Sequence, residues 1–453
     1  MRTMADQAFS RAAGAPLVAG NSVRVLRDAV ENYPAWEDAI RRARRTVHLR
    51  TYIIHRDAVG RRFVDLLAAK TREGVAVRVL YDWFGCGAGL ALGLFHPLRQ
   101  AGADVRVFNP PTFAAMLGWV GRNHRKFLKV DGDVAFIGGL CIGQAWEGTR
   151  RVGAWRDTAV QLQDPVVGDA ERSFADSGAA AGDDDKTATL VCADAPPVAD
   201  EVNVRLMPTT PFTASIFRMD LLVAAMARRR FWIADAYFIE HGPYADLLSH
   251  ASHDGVDVCL LLPQGSDVGW TVPVSRSLYR SLLGVGVRVF EWTGSIMHAK
   301  TVVADSRWSR VGSTNLNINS WLGNWELDVA IDDEGVARTL DAHFEEDIAH
   351  ATEITLSKQG RRLATGPSRR SGRARRSARR AVREVTGVAR SVGAALTTSR
   401  PLEDCEVTPL VVLGLAGMIV VALSVWQPWI VAWPIAVVVA WTAASLFVEA
   451  WCA

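Results

Sequence analysis

The 453-residue chain has no closely spaced pair of cysteines and no histidine at a zinc-like distance from one. Its six cysteines, Cys86, Cys141, Cys192, Cys259, Cys405 and Cys452, are scattered. That excludes a structural zinc module and a disulfide scaffold, and predicts reduced thiols in a cytosolic compartment. Residues 1–20 mix Arg, Asp, Gln and small residues and lack a continuous apolar run, so no secretory signal is expected there. Neither sign of charge dominates, since 51 Lys+Arg against 48 Asp+Glu leave +3. With 49% hydrophobic and 22% charged residues, disordered and collagen-like chains are excluded. The length predicts two or three domains with ample core.

What is present is a repeat. Residues 35–45 and 60–73 read as amphipathic helices, and 46–54 and 75–81 as strands. The order returns with a strand at 231–238, a helix at 243–253 and a strand at 255–262. Arg72-Glu-Gly-Val-Ala-Val-Arg-Val-Leu80 parallels His253-Asp-Gly-Val-Asp-Val-Cys-Leu-Leu261, and 102–108 parallels 286–290. Helices alternating with strands predict an α/β fold, with a mixed or parallel sheet once per half. The small, acidic stretch 177–186, continuing through Pro197, reads as a solvated linker.

Each half carries a histidine, a lysine two residues on and an aspartate five further: His124, Lys126 and Asp131, then His298, Lys300 and Asp305. If these stretches are strands, His and Lys at i and i+2 share a face, and the halves would converge on one site. Gly138-Gly139 follows the first copy and Gly312-Ser313-Thr314-Asn315 the second. Two ammonium groups with nearby amide and hydroxyl donors suit the charge that develops on a phosphodiester. One imidazole can attack phosphorus while the other protonates the departing alkoxide and then deprotonates the incoming alcohol or water. Each would need an acceptor on its far ring nitrogen. Asp157 in Trp155-Arg-Asp157 and Glu326 in Asn324-Trp-Glu326 are the candidates.

These residues make the chain resemble the phospholipase D superfamily, with its HxKxxxxD signature twice, and most of all the bacterial cardiolipin synthase branch. The likeness spans about residues 20–332, apart from the linker. It rests further on Tyr52-Ile-Ile54, Val107-Phe-Asn-Pro110, Asn123-His-Arg-Lys-Phe-Leu-Lys-Val-Asp131, Gly312-Ser-Thr-Asn315 and the two acidic motifs. The resemblance implies two duplicated α/β lobes sharing one active site, and a ping-pong reaction with no metal or cofactor. It implies His124 as nucleophile and His298 as general acid/base. Lys126, Lys300, Ser313, Asn315 and Cys141 are then expected on the substrate phosphate, and Asp131 and Asp305 in structural roles. Cys141 departs from the family pattern, which has Asn there. A thiol is the weaker donor, and losing one such contact costs about 1–3 kcal/mol of transition-state stabilisation.

The positive excess is concentrated at residues 358–400, where Arg369, Arg370, Arg373, Arg375, Arg376, Arg379, Arg380 and Arg383 crowd together. Such a tract suits acidic lipid or nucleic acid. The apolar runs 410–426 and 429–448 that follow decide for lipid, each being about as long as the 18–20 residues that cross a bilayer. Trp426, Trp429 and Trp451 mark the interfaces, and Pro434 is tolerable within a membrane helix. Arginines before the first span place that side in the cytoplasm. The lobes would then hang from the inner face of a bacterial-type plasma membrane. Familiar cardiolipin synthases often carry their hydrophobic segments at the N-terminus, so this anchor is a second departure.

The expected plan is an extension (1–20), a first lobe (21–175), an acidic linker (176–202), a second lobe (203–357), a basic juxtamembrane segment (358–407) and a two-helix membrane anchor (408–449). The expected function is transfer of a phosphatidyl group to an alcohol such as phosphatidylglycerol. Transfer to water, giving phosphatidic acid, is the alternative. A nucleic-acid phosphodiesterase and a catalytically silent lipid-binding scaffold are the more distant ones.

Overall fold

Short apolar strands punctuated by amphipathic helices build both halves, as their alternation requires. The computed structural model describes residues 2–87, 93–110, 121–150, 152–163, 165–168, 202–239, 242–356 and 362–365, all within one unit. The expected linker up to residue 201, the arginine tract from Arg369 and the hairpin at 408–449 lie outside the described residues. Among those described, no helix is long and apolar enough to cross a membrane.

The first lobe contributes β1 (Val18–Arg27), β2 (Thr46–Thr51), β3 (Ala76–Asp82), β4 (Asp104–Phe108), β5 (Phe127–Val130), β6 (Val134–Gly138) and β7 (Thr158–Gln163). The second contributes β8 (Val202–Thr209), β9 (Arg230–Ala234), β10 (Asp257–Pro263), β11 (Arg288–Trp292), β12 (Thr301–Ala304), β13 (Trp308–Gly312), β14 (Glu326–Asp332), β15 (Ala351–Leu356) and β16 (Arg362–Thr365). The first lobe runs β1-β7-β6-β5-β2-β3-β4, and the second repeats it as β8-β14-β13-β12-β9-β10-β11 before adding β15 and β16. Strands β2, β3 and β4 are parallel, as are β9, β10 and β11, while the rest pair antiparallel. Each sheet is therefore mixed. An antiparallel pairing of β1 with β8 joins the two into one sheet of sixteen strands.

Helices Asp28–Arg42 and Ala58–Arg72 bury Tyr33, Trp36, Phe63 and Leu67 on the first sheet. A second core lies where the lobes meet. It combines Phe127, Ile137, Val160 and Leu162 with Val303, Val311, Val329 and Ile331. Each such side chain, once buried, contributes about 1.5–3 kcal/mol, so this shared core holds the lobes as one body.

Two expectations shift. Residues 1–20, expected as an extension, fold onto the body: helix Arg2–Ala13 packs on the second lobe, with Ala13 buried beside Met207 and Met219. Arg205 there donates to Ser10 Oγ at 2.8 Å and to the Ala15 carbonyl at 2.7 Å. At the other end, β16 pairs antiparallel with β15, so the second sheet continues past residue 357.

The signature aspartates show why the motif has its length. Asp131 and Asp305 end β5 and β12 in the left-handed region, with φ of 54° and 53°. Asp tolerates that region because its short polar side chain bonds locally. The Asp131 carboxylate accepts the N–H groups of Arg44, Arg45 and Thr46 at 2.7, 2.7 and 2.8 Å. Asp305 accepts those of Arg228, Arg229 and Arg230 at 2.9, 2.8 and 3.0 Å. Burial alone would raise the Asp305 pKa, but these backbone bonds outweigh it and hold the carboxyl below its usual value. Each aspartate thus ties the end of the motif strand to the start of its antiparallel neighbour, β2 or β9.

Candidate active site

His124 and His298 do not lie on strands. Both sit on the segments leading into β5 and β12, and each segment is pinned to the opposite lobe. Asn123 bridges in parallel to Trp325, and Arg156 to Met297. His124 N–H donates to the Trp325 carbonyl at 2.9 Å, and His298 N–H to the Arg156 carbonyl at 2.7 Å. The residue before each histidine therefore meets the residue before the other lobe's acid.

The consequence is a crossed pairing. His124 Nδ1 lies 2.9 Å from Glu326 Oε2, and His298 Nδ1 lies 2.6 Å from Asp157 Oδ2. Both acids are fully buried and each is further bonded. Trp146 Nε1 donates to Asp157 Oδ2 at 3.0 Å and Thr158 N to Oδ1 at 2.8 Å. Ser313 Oγ donates to Glu326 Oε2 at 2.6 Å and Asn324 Nδ2 to Oε1 at 3.2 Å. Burial would raise both carboxyl pKa values, yet the paired histidines, the lysines and these donors hold both below the ordinary range. With Nδ1 turned to a carboxylate, each ring directs Nε2 away from it.

The lysines fold back beside their histidines. Lys126 Nζ donates to the His124 carbonyl at 2.6 Å, and Lys300 Nζ to the His298 carbonyl while lying 3.0 Å from His298 Nδ1. Tyr52 sits edge-on to His124 with centroids 4.8 Å apart, and Lys126 Nζ is 5.2 Å from the Tyr52 ring. Tyr237 repeats the arrangement at 6.0 Å from His298 and 5.9 Å from Lys300 Nζ. Burial and the neighbouring lysines pull both histidines down to about 4, the carboxylates only partly offsetting this. Burial pulls Lys126 to about 8 and lowers Lys300 as well.

Both histidines, Lys126, Cys141 and Asn315 open on one cavity of about 570 Å³. Its walls include Trp146 and Trp155, and its mouth carries Phe84, Val268, Trp270 and Ile318. These last four are exposed, Trp270 by 57% and Ile318 by 49%. The buried Asn315 Oδ1 has no hydrogen-bond partner among the described residues. Cys141 lines the same cavity as a buried thiol pushed up in pKa by burial.

Of the expected phosphate contacts, Lys300 is not among the residues lining the cavity, and neither is Ser313. The Ser313 hydroxyl donates to Glu326 and accepts the Leu327 N–H at 2.9 Å, so it serves the acid. Asp131 and Asp305 lie away from the cavity, at the strand ends. The sequence reading gave no role to Tyr52, Trp146, Tyr237 or Asn324. Tyr52 and Tyr237 were visible as tyrosines following the equivalent strands β2 and β9, but the Trp146 and Asn324 contacts leave no such trace.

Fold and site define a two-lobed phospholipase D-like protein. The family described as cardiolipin synthase, phospholipase D-like domain, matches residues 37–145 and 223–348. "Cardiolipin synthase A" of Pseudomonas fluorescens (strain SBW25) is 36% identical over 362 residues, covering 77% of this chain and 73% of that protein. "Probable cardiolipin synthase YwiE" of Bacillus subtilis (strain 168) is 30% identical over 353 residues, covering 76% and 69%. The crystal structure of phosphatidylserine synthase from Haemophilus influenzae Rd KW20 shares the fold at a TM-score of 0.63, with 14% identity, covering 79% of this chain and 93% of that one. The chain belongs to the phospholipase D-like, cardiolipin synthase family.

Proposed function

We propose that this chain is a membrane-associated phosphatidyltransferase that joins two phosphatidylglycerol molecules into cardiolipin through a phosphohistidine on His124. The observation that carries this reading is the crossed His–carboxylate pairing, which brings two oriented imidazoles and Lys126 to one cavity with an apolar mouth, with Lys300 beside His298. An apolar rim suits diacyl chains and not a polynucleotide backbone.

His124, neutral and oriented by Glu326, attacks phosphorus through Nε2. The bond from phosphorus to the departing glycerol oxygen breaks, and that oxygen takes a proton from His298. Lys126, Lys300 and the Asn315 amide hold the phosphoryl oxygens as charge develops. The arriving phosphodiester anion offsets the lysine charges that help hold His298 low, so the ring can carry the proton it delivers. In the second half, His298 takes the proton from the acceptor hydroxyl. The oxygen–phosphorus bond forms, the Nε2–phosphorus bond breaks, and His124 is regenerated. The Arg tract and the apolar runs after residue 408 would keep the site at an anionic membrane surface.

The test is purified protein in detergent with labelled phosphatidylglycerol, followed by chromatography of the lipids. Cardiolipin with released glycerol, absent for His298→Ala, is expected. Phosphatidic acid alone would make the protein a hydrolase, and no product from any phospholipid would overturn the reading.

A further inference from the structure

Besides Cys141, the duplication is broken at a second position on the cavity wall. Two residues before each motif histidine the backbone does the same work: the Arg122 carbonyl accepts the Trp325 N–H at 2.8 Å, and the Ile296 carbonyl accepts the Arg156 N–H at 2.9 Å. The side chains differ completely. The first lobe places an arginine there and the second an isoleucine.

Arg122 lines the cavity that holds both histidines. Its guanidinium lies over Phe84, with Cζ 4.1 Å from the ring centroid. Nη1 is 3.5 Å from the Tyr52 hydroxyl, and the buried Nε has no hydrogen-bond partner among the described residues. None of the described carboxylates forms an ion pair with it. Asp82 feels its charge, but the Asp82 oxygens are committed to the N–H groups of Phe84, Gly85 and Asn123 at 2.9, 3.0 and 2.7 Å. A guanidinium with unspent N–H groups beside an apolar wall is matched best by an anion that arrives with a ligand, and a phosphate fits its fork.

Tyr52 sets the spacing. Its ring packs against His124 while its hydroxyl faces Arg122. The cation is thus one tyrosine length along the cavity from the imidazole. That position, across Tyr52 from the imidazole, suits a second phosphate separated by a glycerol from the one on His124.

We infer that Arg122 binds the phosphodiester of the acceptor lipid, so that the phosphatidyl group on His124 is passed to an anionic glycerophospholipid in preference to a neutral alcohol or water. This rests on the phosphatidyltransferase reading above. The chemistry of transfer is unchanged: the acceptor oxygen bonds to phosphorus, the Nε2–phosphorus bond breaks, and the acceptor proton goes to His298.

The experiment uses the full chain in mixed micelles with phosphatidyl-p-nitrophenol as donor, and with phosphatidylglycerol and ethanol competing as acceptors. The ratio of cardiolipin to phosphatidylethanol is expected to fall at least about tenfold in Arg122→Gln and to recover to within about threefold of wild type in Arg122→Lys. An unchanged ratio, with both products falling together, would overturn the assignment. A second measurement needs no turnover: titration of glycerophosphoglycerol, the deacylated acceptor, into His124→Ala protein. Adding Arg122→Gln should weaken that binding by about fivefold or more, and equal affinities would also overturn it. Absence of p-nitrophenol release by wild type would instead count against the phosphatidyltransferase reading, while the titration would still decide the role of Arg122.

Discussion

His298 and Asp157 lie 141 positions apart and in different lobes, yet Nδ1 of one is 2.6 Å from Oδ2 of the other. His124 and Glu326 repeat the exchange across 202 positions. Neither lobe contains a complete acid–histidine pair of its own. An isolated lobe would present an imidazole without its orienting carboxylate, so duplication in one chain is what makes the site.

The two histidines should separate by leaving group. p-Nitrophenolate departs without a proton, so attack on phosphatidyl-p-nitrophenol requires His124 but not a general acid. His298→Ala is expected to release a burst of about one p-nitrophenol per site and then to stall, whereas His124→Ala releases none. Stopped-flow absorbance reads both. A burst from His124→Ala with none from His298→Ala would reverse the roles.

The repeat, the α/β alternation and the paired motif were legible because they are local: a period, a spacing, a composition. The pairing of acids with histidines was not. Asp157 and Glu326 each follow their own lobe's histidine at a similar interval, and only the bridges Asn123–Trp325 and Arg156–Met297 exchange them. The strand expected to carry His and Lys begins one residue after the lysine in both lobes, at Phe127 and Thr301. An apolar alternation does not reveal that the preceding residues pair across lobes. The Ser313 hydroxyl was likewise placed on phosphate from its motif, and its turn toward Glu326 is a tertiary matter.

Lys126 should set the alkaline limb of activity. Burial lowers its pKa from 10.5 to about 8, so in the folded protein it loses its proton, and its hold on phosphate, as pH rises through that value. kcat/KM, which reports the free enzyme, should therefore fall above about pH 8. The sign for stability is opposite. Between the folded and unfolded values the unfolded chain binds more protons, so this group's contribution to stability increases with pH. Loss of activity with an undiminished thermal midpoint is the expected signature, and Lys126→Arg should move the limb upward.

Gly139 allows Asp157 to reach His298. A Cβ built there would stand 2.2 Å from Asp157 Oδ1 and 3.0 Å from its Cγ, whereas the second lobe tolerates Ser313 at the matching position. Gly139→Ala should displace the carboxylate, destabilise the fold by about 1–3 kcal/mol through overpacking, and lower kcat. Chemical denaturation together with turnover would show it. A variant with wild-type stability and rate would mean that Asp157 moves freely.

Arg156 gives the lobe interface an electrostatic lock. It is buried, its Nε lies 2.9 Å from Asp347 Oδ2, and Nη1 lies 3.2 Å from Asp28 and 2.9 Å from Thr158 Oγ1. Asp347, on helix Glu334–Ala349 of the second lobe, also receives Arg27 Nη2 at 2.7 Å. Asp347→Ala would leave a buried guanidinium short of charge and is expected to cost about 3–5 kcal/mol. Because the Arg156 carbonyl also holds the N–H of His298, turnover should fall with it. A cycle with Arg156→Met should give a coupling above about 1 kcal/mol, and additive losses would show that the two residues stabilise the lobes independently.

Cys141 lines the cavity where the second lobe has the amide of Asn315. Its carbonyl accepts the Tyr33 hydroxyl at 2.8 Å, which fixes the backbone independently of the side chain, so an amide placed there would occupy the thiol's position on the cavity wall. Burial keeps the thiol protonated, and a protonated thiol gives phosphate only a weak bond. Cys141→Asn should therefore leave kcat unchanged or raise it by up to about tenfold, the worth of one neutral hydrogen bond. A large fall, at unchanged melting temperature, would show that the first half of the site depends on the small volume of sulfur and not on a second amide.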